Sequence, residues 1–382
     1  MNYLIGFLVG LESSLLLLDQ RFYWRSMITI FIFLIYALKN FRYSQLRSRI
    51  SKPLFVTIIG FIVYFYLNYD FYFFPEFYSR WGLTQKIYYL FSTPILLVIF
   101  LLILGSKKTN HLKEFIFSFS MTFAFLGFLL NVIDYHGTEN ENFLAVRFLL
   151  LIPIFLVYFK NNFIRVIFFI TLFNINLFYF SRTILAASAL FILLLTFRKI
   201  IFDSKRIFYT LNFFACFVLS VFPVLFLIAF QEDSYFTSIF LSESKGVTGR
   251  FLIWAEVLLR VSENEFLLFG HGSNHDTLYY QSDYFLRNLS SHNMLLETLF
   301  RLGIVGYLLM ISLLFQILNS CYAGKDDYSI QLAWILIICG MFLSCLYEFI
   351  LFDGSGILNN IVFWFTLATL LVGSSLNRSS QA

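Results

Sequence analysis

The sequence predicts an all-α polytopic membrane protein. It has about twelve transmembrane helices in a single membrane domain over residues 1–382, with one large external loop at 231–291 carrying short helices. Three observations predict this. First, 59% of the 382 residues are hydrophobic and only 13% are charged, and the mean hydropathy is +0.79. An ordinary soluble domain carries about 45–50% apolar and about 25% charged residues. Second, the apolar residues gather in runs near the roughly 20 residues that a bilayer's hydrocarbon requires. Third, Lys and Arg fall in the short connections between those runs, mostly on one side. These features exclude a soluble globular enzyme, a disordered chain and a nucleic-acid binder. The net charge of +5 is spread through loops rather than gathered on one basic face.

The spans, in chain order, are 3–18, 26–38, 53–69, 87–104, 115–133, 143–158, 166–180, 182–197, 207–230, 301–318, 329–347 and 358–374. The first is short and contains Glu12. It lacks a basic leader and a small-residue cleavage site, so it reads as a retained helix. With the N-terminus inside, the even-numbered loops and the C-terminal tail hold sixteen of the 27 basic residues. These include Arg42, Arg47, Lys107, Lys108, Arg198, Lys199, Lys205, Arg206 and Lys325. The opposite side keeps nine, four of them in the 231–291 segment and a fifth, Arg301, just beyond it, and long loops count little in this rule. Both termini are therefore expected inside.

The 231–291 loop is far longer than the others, and such loops are usually functional or disordered. Phe251, Ile253, Trp254, Val257, Leu258 and Val261 fall near helical spacing, which predicts an ordered helix along the membrane face. No internal repeat or inverted repeat of the transporter kind is visible. Cys216, Cys321, Cys339 and Cys345 sit in or beside apolar runs without paired spacing, and read as small core hydrophobes.

Chemistry is sought among ionisable residues at the outer boundary, because a charge in the bilayer is costly and usually faces a cavity or a partner. Arg182, in Phe180-Ser181-Arg182-Thr183, opens the eighth span after a very short turn. It is either snorkelling to lipid headgroups or a fixed cation for phosphate, whose oxygens a guanidinium fork matches. Arg250 follows Gly246-Val247-Thr248-Gly249. If Thr248 caps the helix ahead, Arg250 lies in a first turn that the helix dipole disfavours for a cation. The plainer reading is a solvated loop charge. His292 begins Ser291-His292-Asn293 at the mouth of the tenth span; Gly303 comes nine residues after Asn293, and Gly306 follows. A lone His is commonly structural, but its unperturbed pKa of about 6.5 suits proton transfer. Glu297 and Arg301 are four apart and predict an ion pair. Arg147 is either a further phosphate contact or a snorkelling cation. His271 and His275 have metal-like spacing, yet Gly270, Gly272 and Ser273 argue against a helix there and no third strong ligand is evident, so no metal site is expected.

Taken together, these segments resemble the O-antigen ligase and O-antigen polymerase superfamily of bacterial envelope glycosyltransferases. Three features carry the resemblance: Ser181-Arg182 opening a helix; Gly249-Arg250 to Trp254 followed by Phe269-Gly270-His271-Gly272; and His292-Asn293, nine residues, Gly303, two residues, Gly306. They cover about residues 180–310, and the N-terminal half matches by hydropathy alone.

The resemblance implies a GT-C-like transferase in the bacterial inner membrane, with cytoplasmic termini and a periplasmic active site. Its donor is a glycan on undecaprenyl diphosphate, used without metal or cofactor. The acceptor is the hydroxyl of a lipid-linked repeat unit for a polymerase, or lipid A–core for a ligase. Membrane lipid and a chain-length regulator are the other partners implied; nucleic acid is not. Carried across by position, Arg182 and Arg250 hold the donor diphosphate and His292 takes the acceptor's proton. Arg147, Trp254, Asn293, Glu297 and Arg301 are the expected substrate-binding residues.

The chemistry is consistent with this. Negative charge builds on a diphosphate leaving group, and preplaced cations stabilise it most in the transition state. No carboxylate pair with glycosidase spacing is recognisable, so direct displacement with inversion is expected. The compact 41 residues between Arg250 and His292 favour polymerase over ligase. A lipid-linked oligosaccharide flippase remains the alternative of another class. It needs charge through the depth of the bilayer, whereas the candidates here sit on one face.

Overall fold

The computed structural model describes residues 52–71, 118, 122, 141–158, 182–232, 254, 257–258, 261, 267–270, 278–279, 288–289, 293–346 and 362–371. They form α1 (Lys52–Phe71), α2 (Glu141–Tyr158), α3 (Arg182–Asp203) and α4 (Lys205–Glu232), then strands β1 (Leu278–Tyr279) and β2 (Asn288–Leu289). After these come α5 (Met294–Ser320), a 3-10 turn at Cys321–Gly324, α6 (Tyr328–Leu346) and α7 (Val362–Leu371). The described chain is thus helical except for one two-residue antiparallel pair, with Leu278 opposite Leu289 and Tyr279 opposite Asn288.

Seven predicted spans correspond to described helices, the last of them, 358–374, to α7. The match is closest at α1, α2, α4 and α6. α3 continues six residues past its expected end at 197, and α5 begins at Met294 instead of 301. The spans 3–18, 26–38, 87–104 and 166–180 lie outside the described residues, and of 115–133 only Ser118 and Thr122 are described, both helical.

Among the described residues, two stretches, Ile184–Asp203 and Leu295–Gly324, are long and apolar enough to cross a membrane. At about 1.5 Å per residue, the first spans roughly 30 Å, the thickness of a bilayer's hydrocarbon. Only 28% of it is buried within the molecule, against 61% of the second. Leu185, Ile192, Leu193, Phe197 and Ile200 on α3 stand exposed, as do Phe213, Phe214 and Phe217 on α4. An apolar face this large is a liability in water and the expected outer surface of a helix in lipid.

The centre is α6. Leu332, Ala333, Trp334, Ile335, Leu336 and Ile337 are buried in unbroken succession, and a helix apolar on every side belongs inside. It packs on α2, α3 and α5. Gly340 brings it close to α7, since a Cβ there would lie 2.6 Å from the Phe363 ring. Two hydroxyls in these helices bond back to their own backbone: Thr196 Oγ1 to Ile192 O at 2.8 Å and Ser344 Oγ to Gly340 O at 2.7 Å. That satisfies a polar group where water is absent.

One end of the bundle is tied by aromatics and amides. Phe202, Phe208, Tyr322 and Trp334 have neighbouring ring centroids 5.0–5.7 Å apart. Trp334 Nε1 donates to Asn212 Oδ1 at 2.7 Å, and Asn212 Nδ2 donates to Asn319 Oδ1 at 3.0 Å. The α3–α4 junction, the C-terminal end of α5 and the first turns of α6 therefore meet there. The start of α1 joins them, because Gln316 Nε2 donates to Thr57 Oγ1 at 2.7 Å. Lys52, Arg198, Lys199, Lys205, Arg206 and Lys325 all belong to this end. The Arg198 guanidinium lies 5.1 Å above the Tyr328 ring.

Candidate functional site

The candidate site is built on the N-terminal part of α5, the opposite end of that helix from the basic cluster. Asn293 caps it in extended conformation (φ −148, ψ 112). Its Oδ1 accepts from Leu295 N at 2.9 Å and Leu296 N at 3.3 Å, and its backbone carbonyl accepts from Glu297 N at 2.9 Å. An amide side chain at this position satisfies amides that have no intrahelical partner. Glu297 stands in the first turn, where the helix dipole favours an anion. Arg301 Nε donates to Glu297 Oε1 at 2.6 Å. The expected ion pair is present, and its side chains are only 13% and 12% exposed.

α5 is not continuous. Gly303 has φ 64 and ψ −169, so Met294–Leu302 and Ile304–Ser320 are two helical pieces. The expected start at 301 fell near this break, not at the helix's true beginning. The turn Leu267–Gly270 fills the gap. Ile304 N donates to Leu267 O at 3.0 Å and Val305 N to Leu268 O at 3.2 Å. On the other side, Tyr64 of α1 donates its hydroxyl to Leu302 O at 2.7 Å. Thr298 Oγ1 reaches Met310 Sδ at 3.4 Å, from one piece to the other.

Among the remaining sequence candidates, Arg182 is the first residue of α3 and Arg147 lies on α2. Trp254 is helical and 5% exposed, in the apolar core with Val257, Leu258 and Val261. These four follow the i, i+3, i+4, i+7 spacing that predicted a helix in the loop. Arg250, His271, His275 and His292 lie outside the described residues. Cys216, Cys321 and Cys339 are buried free thiols, as expected of core hydrophobes.

What the structure brings together is therefore Asn293, Glu297, Arg301 and the turn Leu267–Gly270. Sequence reasoning noted Gly270 and Gly303 as spaced glycines but missed that they meet. It also missed Tyr64, which carries no local signal, and the β1–β2 pair. The usable signal was two glycines in a helix otherwise built of large apolar residues, where a glycine costs about 1 kcal/mol unless geometry requires it.

Compared with known protein families and with curated proteins, the chain matches none.

Proposed function

We propose that this chain is a polytopic inner-membrane glycosyltransferase of about twelve helices. It transfers a glycan from undecaprenyl diphosphate to the hydroxyl of a second lipid-linked repeat unit on the periplasmic face. The observation that carries the reading is the outer end of α5. There the segment ending Phe269-Gly270 is bonded to the helix that follows His292-Asn293, so two of the three family-like segments form one structural unit. A second observation supports the sidedness. The Lys- and Arg-bearing helix ends converge at the far end of α5, as expected of a cytoplasmic face.

In this reading Arg182 and Arg250 hold the donor diphosphate, and the Glu297–Arg301 pair lines the mouth of the cavity. His292 accepts the proton of the acceptor hydroxyl as oxygen attacks the anomeric carbon. The bond to diphosphate breaks, the charge leaves on its oxygen, and the anomeric centre inverts. The tail stays in the bilayer throughout, which requires a cavity open sideways to lipid.

The test is deletion of the gene in its native host, with surface polysaccharide resolved on a silver-stained gel. Core carrying a single repeat unit supports a polymerase. Loss of every repeat from the core, with polymer accumulating on undecaprenyl diphosphate, makes the chain a ligase instead. A normal ladder restored by His292→Ala, Arg182→Ala and Arg250→Ala alike would sink the transferase reading and favour a flippase or scaffold.

A further inference from the structure

The turn at Leu267–Gly270 and the break in α5 fit each other through backbone alone. Gly303 occupies a region of φ and ψ that essentially only glycine adopts. A Cβ there would overlap the Leu268 carbonyl and come within 2.6 Å of Gly270 N. Gly270 has φ 77, and a Cβ there would lie 2.5 Å from the carbonyl carbon and oxygen of Arg301 and from Gly303 N. Each glycine is thus the space into which the other's chain fits. Leu267 packs against the core, whereas Leu268 and Phe269 stand 53% and 49% exposed, so side-chain burial is only part of what holds the turn. Its carbonyls hold it too, by accepting from Ile304 N and Val305 N.

Arg301 is held in the same knot. Its backbone abuts Gly270 while its side chain is paired with Glu297. A methyl group added at Gly270 would act first on Arg301, through the main chain.

We propose that Gly270 and Gly303 are positioning residues for the transfer reaction. Their interlock fixes the Glu297–Arg301 pair, and joins the segment leading to His271 and the helix following His292 into one frame. The inference rests on the glycosyltransferase reading above. Neither glycine touches substrate; both act by where they hold Arg301. Displacing a reacting arrangement by about 1 Å costs roughly 10²-fold in rate.

The experiment uses the full chain in lipid nanodiscs. The substrate is the undecaprenyl-diphosphate-linked repeat unit extracted from a deletion strain of the native host. Amide hydrogen exchange over residues 302–306 and steady-state transfer are measured together. Gly270→Ala is expected to speed exchange at Ile304 and Val305. It should lower kcat about 10²-fold while KM for the donor stays near its wild-type value. Ile304→Pro is the milder variant. It removes one of the two bonds at the first position of a helical piece, where proline is tolerated. The extended ψ of Gly303 also suits a following proline. It should move exchange and kcat in the same direction by less, and it carries the test if Gly270→Ala does not fold. The proposal is overturned if exchange rises with kcat unchanged, or if exchange does not change in either variant. Protected amides in a wild-type chain that transfers no glycan would instead overturn the transferase reading, and with it any catalytic meaning of the interlock.

Discussion

Replacing Asn293 by alanine removes one oxygen that two buried amides share. Leu295 and Leu296 are fully buried, so water cannot take the place of Asn293 Oδ1 at either N–H. An N-cap lost to alanine costs about 0.5–2 kcal/mol, and each buried amide left without an acceptor costs about 1–3 kcal/mol. The longer bond, 3.3 Å, is the weaker of the two, so the effect should lie at the upper end of the capping range, about 2 kcal/mol. Asn293→Ser and Asn293→Asp both keep an oxygen for the same amides, and the aspartate adds a charge that the helix dipole favours. The assay is denaturant unfolding of the purified chain in detergent for all three variants. Alanine should lower the midpoint clearly while serine and aspartate stay near wild type. A serine variant as unstable as the alanine one would refute the capping argument, because the loss would then come from packing of the amide itself. On the transferase reading proposed above, activity should follow the same order, since Asn293 caps the helical piece that carries Glu297 and Arg301.

Other outcomes follow from single contacts. A double-mutant cycle on Glu297 and Arg301 should give a coupling of about 1 kcal/mol, above the roughly 0.3–0.5 kcal/mol of exposed i, i+4 pairs, because the pair is mostly buried. A value at the exposed level would mean that burial adds nothing. Tyr64→Phe strands the Leu302 carbonyl and should cost about 1 kcal/mol of stability, with no loss if that carbonyl finds water. Asn212→Ala leaves Trp334 Nε1 and Asn319 without their shared partner. It should cost about 2 kcal/mol or more, read as loss of folded protein in a thermal aggregation assay. Arg182→Ala and Arg250→Ala should each lower transfer by about 10²–10³. Lysine should restore only part of it, because a point charge does not reproduce the fork.

Helices were legible wherever hydrophobicity alone decides structure. α1, α2, α4 and α6 end within a few residues of their expected bounds, because a run of large apolar side chains in a chain this hydrophobic has few other conformations. The i, i+4 pair at Glu297 and Arg301 was legible for the same local reason. α5 was misread because hydropathy registers side chains and not backbone. Arg301 looks like the start of a helix, yet it lies near the end of the first helical piece, Met294–Leu302, whose start is set by Asn293. The break at Gly303 depends on a turn more than thirty residues earlier, and the Tyr64 bond on a helix 238 residues away. Contacts of that range leave no periodicity. The same limit applies to Trp254, whose spacing announced a helix but not that the side chain would lie in the core.

The broken helix also constrains the turn Leu267–Gly270. In a continuous helix the amides of Ile304 and Val305 would bond four residues back; at Gly303 that ladder stops, and the acceptors come from Leu267 and Leu268. An amide shielded from water and left without an acceptor costs about 1–3 kcal/mol. α5 therefore cannot hold this shape unless the loop is seated. The loop end is an integral part of the helix, and a lid that lifted away at Gly270 would have to break both bonds at once. Any opening of this end is more cheaply made elsewhere, where side chains rather than backbone amides are uncovered. The half-exposed Leu268 fits this division: what the two bonds fix is the path of the main chain beneath it.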